Sequence, residues 1–173
     1  AHGFVPGRSI LTNAGLHVGR EWVVTADIRN FFPSITAARV SKAIADLEMS
    51  EPEQELLVKL VTRRGRLPQG APTSPHLANL VARNLDIRLA GLAGQDDWTY
   101  SRYADDLAFS GSGDPHQLMW TVERIVADEG FRLAADKTHI RSQHQRQVVT
   151  GLVVNQRVTL PKPKRRLLRA MMH

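Results

Sequence analysis

Three aspartates carry the chemistry legible in this chain. Asp105 and Asp106 are adjacent, set between apolar flanks in Tyr103-Ala104-Asp105-Asp106-Leu107. Asp27 closes a separate apolar run, Trp22-Val23-Val24-Thr25-Ala26. Alone, an Asp-Asp pair reads as a solvated turn. Burying two like charges unpaired is costly, however, and a pair inside apolar sequence suits a divalent cation better than a core. Three carboxylates from two strands fit a two-metal phosphoryl-transfer site. Oxygen ligands favour two Mg²⁺ ions, with Mn²⁺ as a substitute, and the backbone carbonyl of Ile28 adds a further donor. In such a site one ion lowers the pKa of a primer hydroxyl. The other holds a triphosphate and stabilises the leaving pyrophosphate, so no dedicated protein base is needed.

The elements around the acids follow from pattern. The stretches 98–103 and 107–110 predict a hairpin with the acids at its tip, and 22–28 predicts a strand ending at Asp27. Ser34 is expected to cap a helix carrying Val40, Ile44 and Leu47 on one face. Ser50-Glu51-Pro52-Glu53 predicts a second helix start, with Leu56, Leu57, Leu60 and Val61 as its buried stripe. The basic run Arg63-Arg64-Gly65-Arg66 leads into a Pro- and Gly-rich turn region over 67–75. One long helix is expected next, with Leu77, Val81, Leu85 and Leu89 repeating every four residues. Another helix near 115–129 buries Leu118, Val122, Ile125 and Val126 and stops at Gly130. Short strands are expected over 131–133, 139–141, 148–154 and 157–160, the last pair turning at Asn155-Gln156. This order predicts an α+β domain, a mainly antiparallel sheet backed by helices.

The chain's 173 residues suit one domain with a real core, and 42% hydrophobic content is ordinary for a globular protein. The 23 Lys and Arg outnumber the 17 acids, for a net charge of +6. That favours a polyanionic partner such as nucleic acid, against the plainer reading of a basic, solubilising surface. There is no cysteine, which excludes disulfides and thiolate zinc and fits a reducing compartment. No apolar run approaches the roughly 20 residues of a membrane span, and no secretory pattern opens the chain. The chain starts without Met and stops inside what reads as a new helix, so we expect a piece of a longer protein.

Several motifs, in order, resemble one family. Tyr103-Ala104-Asp105-Asp106 resembles the catalytic motif of reverse transcriptases. Asp27-Ile28-Arg29-Asn30-Phe31-Phe32 is similar to their first palm motif. Leu67-Pro68-Gln69-Gly70 with Thr73-Ser74-Pro75 resembles the nucleotide-pocket motif that follows it. Gly130-Phe131 with Lys137-Thr138 resembles the motif after the acidic hairpin, and Val149-Thr150-Gly151-Leu152 stands where the primer grip would be. Asn13-Ala14-Gly15-Leu16-His17 and Val149-Thr150-Gly151 resemble two short signatures of bacterial retron reverse transcriptases. The opening His2-Gly3-Phe4-x-Pro6-Gly7-Arg8-Ser9 resembles both retron and group II intron enzymes.

The resemblance implies a polymerase palm over 1–160, with partial fingers in about 1–20 and 50–75 and the start of a thumb over 161–173. It implies RNA-directed DNA synthesis, with Asp27, Asp105 and Asp106 as metal ligands. Phe32 is implied as a steric gate against a ribose 2′-hydroxyl, or is a core ring. Gln69 bonds the incoming nucleotide, with Gly70 permitting close backbone approach, or is a turn glutamine. Arg29 meets the triphosphate or pairs with a nearby acid. Lys137 protonates the leaving pyrophosphate or is a solvated strand-end lysine. Tyr103 packs on the primer terminus or faces the core. Asn13 and His17 touch RNA or serve as scaffold, with His17 also readable as a hydrogen-bonded structural residue. Val149, Thr150 and Gly151 are implied nucleic-acid contacts, and Lys164, Arg165 and Arg166 form a phosphate-binding cluster or an exposed helix start. A retron enzyme further implies a structured non-coding RNA as template and primer, priming from a 2′-hydroxyl, a DNA product and deoxynucleoside triphosphates. An effector protein, a role in antiphage defence and a bacterial cytoplasmic location belong to the same implication. Alternatives are a group II intron or diversity-generating enzyme, and a non-catalytic RNA-binding palm. Without the upstream fingers and most of the thumb, the isolated chain is expected to be weakly active or inactive.

Overall fold

The computed structural model describes residues 1–171. A short helix α1 (Ile10–Gly15) lies in the Gly-rich start; Ser9 and Thr12 form its capping box. Strand β1 (Trp22–Asp27) follows. The chain then turns through α2 (Phe31–Ser34) and α3 (Ala37–Ile44). Thr36, rather than Ser34, caps α3, because the Ser34 hydroxyl is spent on the carbonyl of Phe31 at 2.7 Å. Helix α4 (Glu51–Val61) starts at Ser50 as expected, with Glu53 closing the box. Its buried stripe differs from the expected one. Leu56 and Leu60 point to solvent, and Leu57, Val58 and Val61 face the core.

The expected long helix is two, α5 (Ser74–Val81) and α6 (Arg83–Gln95), broken at the fully buried Ala82. A four-residue repeat drifts about 40° per step around a helix of 3.6 residues per turn. The break takes up that drift. Strands β2 (Thr99–Tyr103) and β3 (Asp106–Gly111) form the acidic hairpin, and α7 (Pro115–Asp128) follows, capped by Asp114. Gly130 ends that segment at φ +71°, as expected. Residues 131–133 make only a single bridge, Leu133 to Ile28, rather than a strand. Strand β4 (His139–Ser142) follows a single 3₁₀ turn, Ala135–Lys137. The expected strand 148–154 is instead a hairpin of β5 (Val148–Val149) and β6 (Leu152–Val153). Thr150 and Gly151 turn it, both at positive φ (46° and 79°). Residues 157–160 contribute one bridge, Thr159 to Val153. Helix α8 (Lys162–Met171) ends the described chain, and the last two residues of the expected thumb segment lie outside it.

The main sheet has the order β2-β3-β1-β4, every pair antiparallel. Alternation sends successive side chains to opposite faces. Val24, Ala26, Leu107 and Phe109 face the helices and share one core with Leu85, Leu89, Val122 and Val126. Val23 and Ala108 face the other way, where Ala14 of α1 and Val149 and Leu152 of the small hairpin cover them. That second face is only partly covered, and the uncovered end carries the acids.

Candidate active site

Register alone brings the acids together. Asp27 and Asp106 are direct cross-strand partners at the end of the β1–β3 ladder. The hairpin turns through Ala104 and Asp105, with Ala104 at φ +57°. A positive φ at the first central residue is the geometry of a type II′ turn, normally given to glycine. The turn is tied down from both sides. The Ile28 amide donates to the Asp105 carbonyl at 2.9 Å, and Arg102 Nη1 donates to the Ala104 carbonyl at 2.9 Å.

Arg102 was not singled out by the sequence. It lies on the helix side of the sheet, fully buried, and grips Asp86 of α6 with two bonds of 2.7 Å. Tyr100 donates to the same carboxylate at 2.8 Å. Withdrawal of the phenol from water and the Asp86 charge push the Tyr100 hydroxyl well above its ordinary range.

The acid site is electrostatically unsatisfied. Partial desolvation, then the carboxylates of Asp105 and Asp27, push the Asp106 carboxyl up to about 6. Desolvation also raises Asp105, with the Asp27 charge adding. The nearby cation is Lys137, whose Nζ donates to Asp27 Oδ2 at 3.1 Å. Among the described residues, no three His, Cys, Asp or Glu side chains converge closely enough to hold a metal ion by themselves. The three carboxylates are hard oxygen donors, the kind that Mg²⁺ takes alongside water.

Asp27, Asp106 and Lys137 line one cleft of about 380 Å³ together with Asn13, Val149, Thr150 and Gly151. The two short retron-like motifs thus meet at the acids. Thr150 Oγ1 donates to the Ile10 carbonyl at 3.2 Å, and Ala14 packs with Val149 and Leu152. Asn13 is buried with Oδ1 unpartnered. His139, Arg141 and Arg146 add a basic wall that the sequence reading missed. Their signal was alternation along β4, which puts 139 and 141 on one face.

Other expected residues lie elsewhere. His17 is fully buried, with Nδ1 on Ser110 Oγ and Nε2 on Ser101 Oγ, both at 2.8 Å. No ring nitrogen remains for nucleic acid, so the expected RNA contact gives way to the structural reading. Burial, then the charges of His2 and Arg20, push its pKa down to about 4. Val149 is likewise a core side chain, forming wall rather than a polar contact. Tyr103 is half-buried, its backbone packed against Gly3. Gln69 and Gly70 are exposed on the loop before α5. Arg29 lines a separate pocket of about 510 Å³ with Arg66 and Arg132. Phe32 is half-buried and contacts Phe31 and Phe4 edge-on. Lys164, Arg165 and Arg166 are exposed on α8, and Lys164 Nζ comes close to Gly151 at the small hairpin's tip.

Comparison with known proteins agrees with the fold. Residues 1–154 match the family model described as reverse transcriptase (RNA-dependent DNA polymerase). The whole chain is similar to the Retron Mx65 reverse transcriptase of Myxococcus xanthus, at 42% identity and covering 45% of that protein. Ninety-nine per cent of it is similar to the Retron Ec86 reverse transcriptase of Escherichia coli, at 37% identity and covering 54% of that protein. The chain therefore spans about half the length of the curated relatives it matches. An apo telomerase from Candida tropicalis, truncated from its C-terminal domain, has the same fold. Its TM-score is 0.62 at 12% identity, over 88% of this chain and 38% of that one.

Proposed function

This chain belongs to the reverse transcriptase family, and from that premise we propose that it is the palm of a retron-type RNA-directed DNA polymerase. It would add deoxynucleotides to a primer hydroxyl on an RNA template. The observation that carries the reading is the cross-strand pairing of Asp27 with Asp106, with Asp105 in the adjoining turn, at one end of a basic-walled cleft. Asp27, Asp105, Asp106 and the Ile28 carbonyl would hold two Mg²⁺ ions, or Mn²⁺ in their place. Bound there, the ions would activate the primer hydroxyl and neutralise the triphosphate. Lys137 bonds the Asp27 carboxylate and would supply a proton to the leaving pyrophosphate. Its hydrogen bond to Asp27 raises its pKa and keeps it protonated.

The supporting residues follow the same reading. Arg29, in its arginine-lined pocket, is assigned the triphosphate. Gln69 and Gly70 are assigned the incoming nucleotide, and Phe32 the gate that excludes a 2′-hydroxyl. Asn13, Thr150, Gly151 and Tyr103 are assigned the nucleic acid beside the acids. Lys164, Arg165 and Arg166 begin a thumb that grips phosphates, with salt-sensitive affinity. Residues 1–160 would form palm and partial fingers. The likeness to retron enzymes supports a structured non-coding RNA as template and primer, priming from its 2′-hydroxyl, and a bacterial cytoplasmic location. It supports an effector partner and a defence role by the same analogy. No helix among the described residues is long and apolar enough to cross a membrane.

The test is deoxynucleotide incorporation on primed RNA with Mg²⁺, using the longest natural chain containing these residues. Asp105→Asn and Asp106→Asn together should abolish it. Absence of incorporation on any template, co-purified RNA included, would favour the non-catalytic scaffold instead.

A further inference from the structure

Phe4 has an unusual backbone for an aromatic residue. It sits at φ +61°, a region that a bulky L-residue rarely enters, and its side chain is 42% exposed rather than tucked into the core. Such strain persists only where the surroundings over-determine it. Here they do. The His2 amide donates to the Arg102 carbonyl at 2.6 Å, and Asn79 Nδ2 donates to the Gly3 carbonyl at 2.8 Å. A Cβ at Gly3 would stand 2.5 Å from the Ala104 nitrogen, so the segment is pressed against the acidic turn itself. The strained geometry delivers the Phe4 ring edge-on to Phe32, with centroids 6.4 Å apart and planes at 64°.

The two sides of Phe32 are unequal. One side meets Phe31 at 5.5 Å, and Phe31 is buried. Phe31 in turn meets Phe131 at 5.6 Å, and the Arg39 guanidinium lies 3.9 Å over that ring while bonding the carbonyls of Glu129 and Gly130. That wall is rigid. The other side is closed by Phe4, which is partly open to solvent and whose backbone is fixed by the hydrogen bonds at His2 and Gly3.

We propose that Phe4 is a specificity-determining residue, the outer wall that holds the Phe32 ring in position to reject a ribose 2′-hydroxyl. The proposal rests on the reading of Phe32 as the sugar gate. Phe4 acts through Phe32 and is a positioning residue. Without it the gate ring can rock outward and admit ribonucleotides.

The experiment measures kcat/KM for deoxy- and ribonucleotides with the longest natural chain, comparing wild type, Phe4→Gly, Phe4→Tyr and Phe32→Val. Glycine removes the ring and also relieves the positive φ, so Phe4→Gly should fold. The expected result is a fall in deoxy/ribo discrimination of about tenfold or more in Phe4→Gly, read mainly as a lower KM for ribonucleotides. Phe4→Tyr should keep the wild-type ratio, and Phe32→Val should lose it. If Phe32→Val loses discrimination and Phe4→Gly keeps it, the inference about Phe4 is wrong and the gate stands. If Phe32→Val keeps discrimination, the gate reading fails and takes this inference with it. An equal loss of activity on both nucleotide types in Phe4→Gly would also overturn it, in favour of a purely structural Phe4.

Discussion

Arg102 Nη1 donates to the carbonyl of Ala104 at 2.9 Å, so a fully buried guanidinium on the helix side of the sheet holds the residue that precedes Asp105. The same guanidinium is fixed by Asp86, which is held in turn by Tyr100. The acid turn is therefore anchored from beneath by α6, outside the cleft and beyond the reach of any substrate.

Removing Asp86 should expose how much rests on that anchor. Asp86→Ala leaves Arg102 buried without its counter-charge, which costs on the order of 3–5 kcal/mol. Arg102→Lys keeps the charge but loses the planar fork and its reach to Ala104. A displacement of the acids by about 1 Å is enough for a roughly hundredfold loss of kcat. Urea denaturation and single-turnover incorporation on the full natural chain check both. Wild-type stability in Asp86→Ala would show that the buried pair is not needed.

His17 predicts an acid-sensitive fold. Its pKa falls from 6.5 when unfolded to about 4 when folded, so between those values the unfolded chain binds the extra proton. Stability then rises with pH across that window and is lost as pH falls through it. The full swing is on the order of 3 kcal/mol. His17→Gln should flatten the pH 4–6.5 slope in chemical denaturation even though the variant is less stable throughout. An unchanged slope would assign the acid sensitivity to other groups.

The acids were legible because two local rules sufficed. Alternation put Asp27 at a strand end, and a turn between apolar runs put Asp105 and Asp106 at a hairpin tip. The start of α4 was legible for a similar reason, since Ser50, Pro52 and Glu53 act within one turn. Partners chosen by packing were not. Arg102 and Asp86 sit on different elements, and the serines that hold His17 lie 84 and 93 residues away. The turn at Thr150-Gly151 was hidden because a β-branched residue at positive φ is the opposite of a turn signal, and the apolar Val148–Val154 run reads as one strand. Phe4 was passed over for the same reason, its conformation being imposed by Gly3 and Asn79.

Metal should stabilise this protein. Asp106, partly desolvated and crowded by Asp105 and Asp27, is an unfavourable carboxylate even with the Lys137 charge nearby. Asp106→Asn should therefore raise stability without divalent ions by a few tenths to about 1 kcal/mol, the exposed position limiting the gain. Mg²⁺ should raise the melting temperature of the wild type, because a ligand that binds only the folded state stabilises it. The rise should be much smaller in Asp106→Asn. Equal Mg²⁺ responses in the two proteins would place the ion elsewhere.

Two glycine-to-alanine changes should have opposite signs. At Gly3 a Cβ would meet the Ala104 nitrogen at 2.5 Å and the Tyr103 carbonyl carbon at 3.1 Å. Both are backbone atoms of the acidic hairpin and cannot swing aside as a side chain would. Gly3→Ala should cost about 2 kcal/mol or more. It should also depress incorporation, because the yielding backbone is the one that carries Asp105. At Gly15, the last residue of α1, a Cβ meets nothing within 4 Å. Gly15→Ala should therefore stabilise by about 0.5–1 kcal/mol through the unfolded chain's entropy. Urea denaturation of both variants, with incorporation measured alongside, separates the two. If Gly3→Ala is as benign as Gly15→Ala, the N-terminal segment does not bear on the acid turn, and the structural support for Phe4 fails with it.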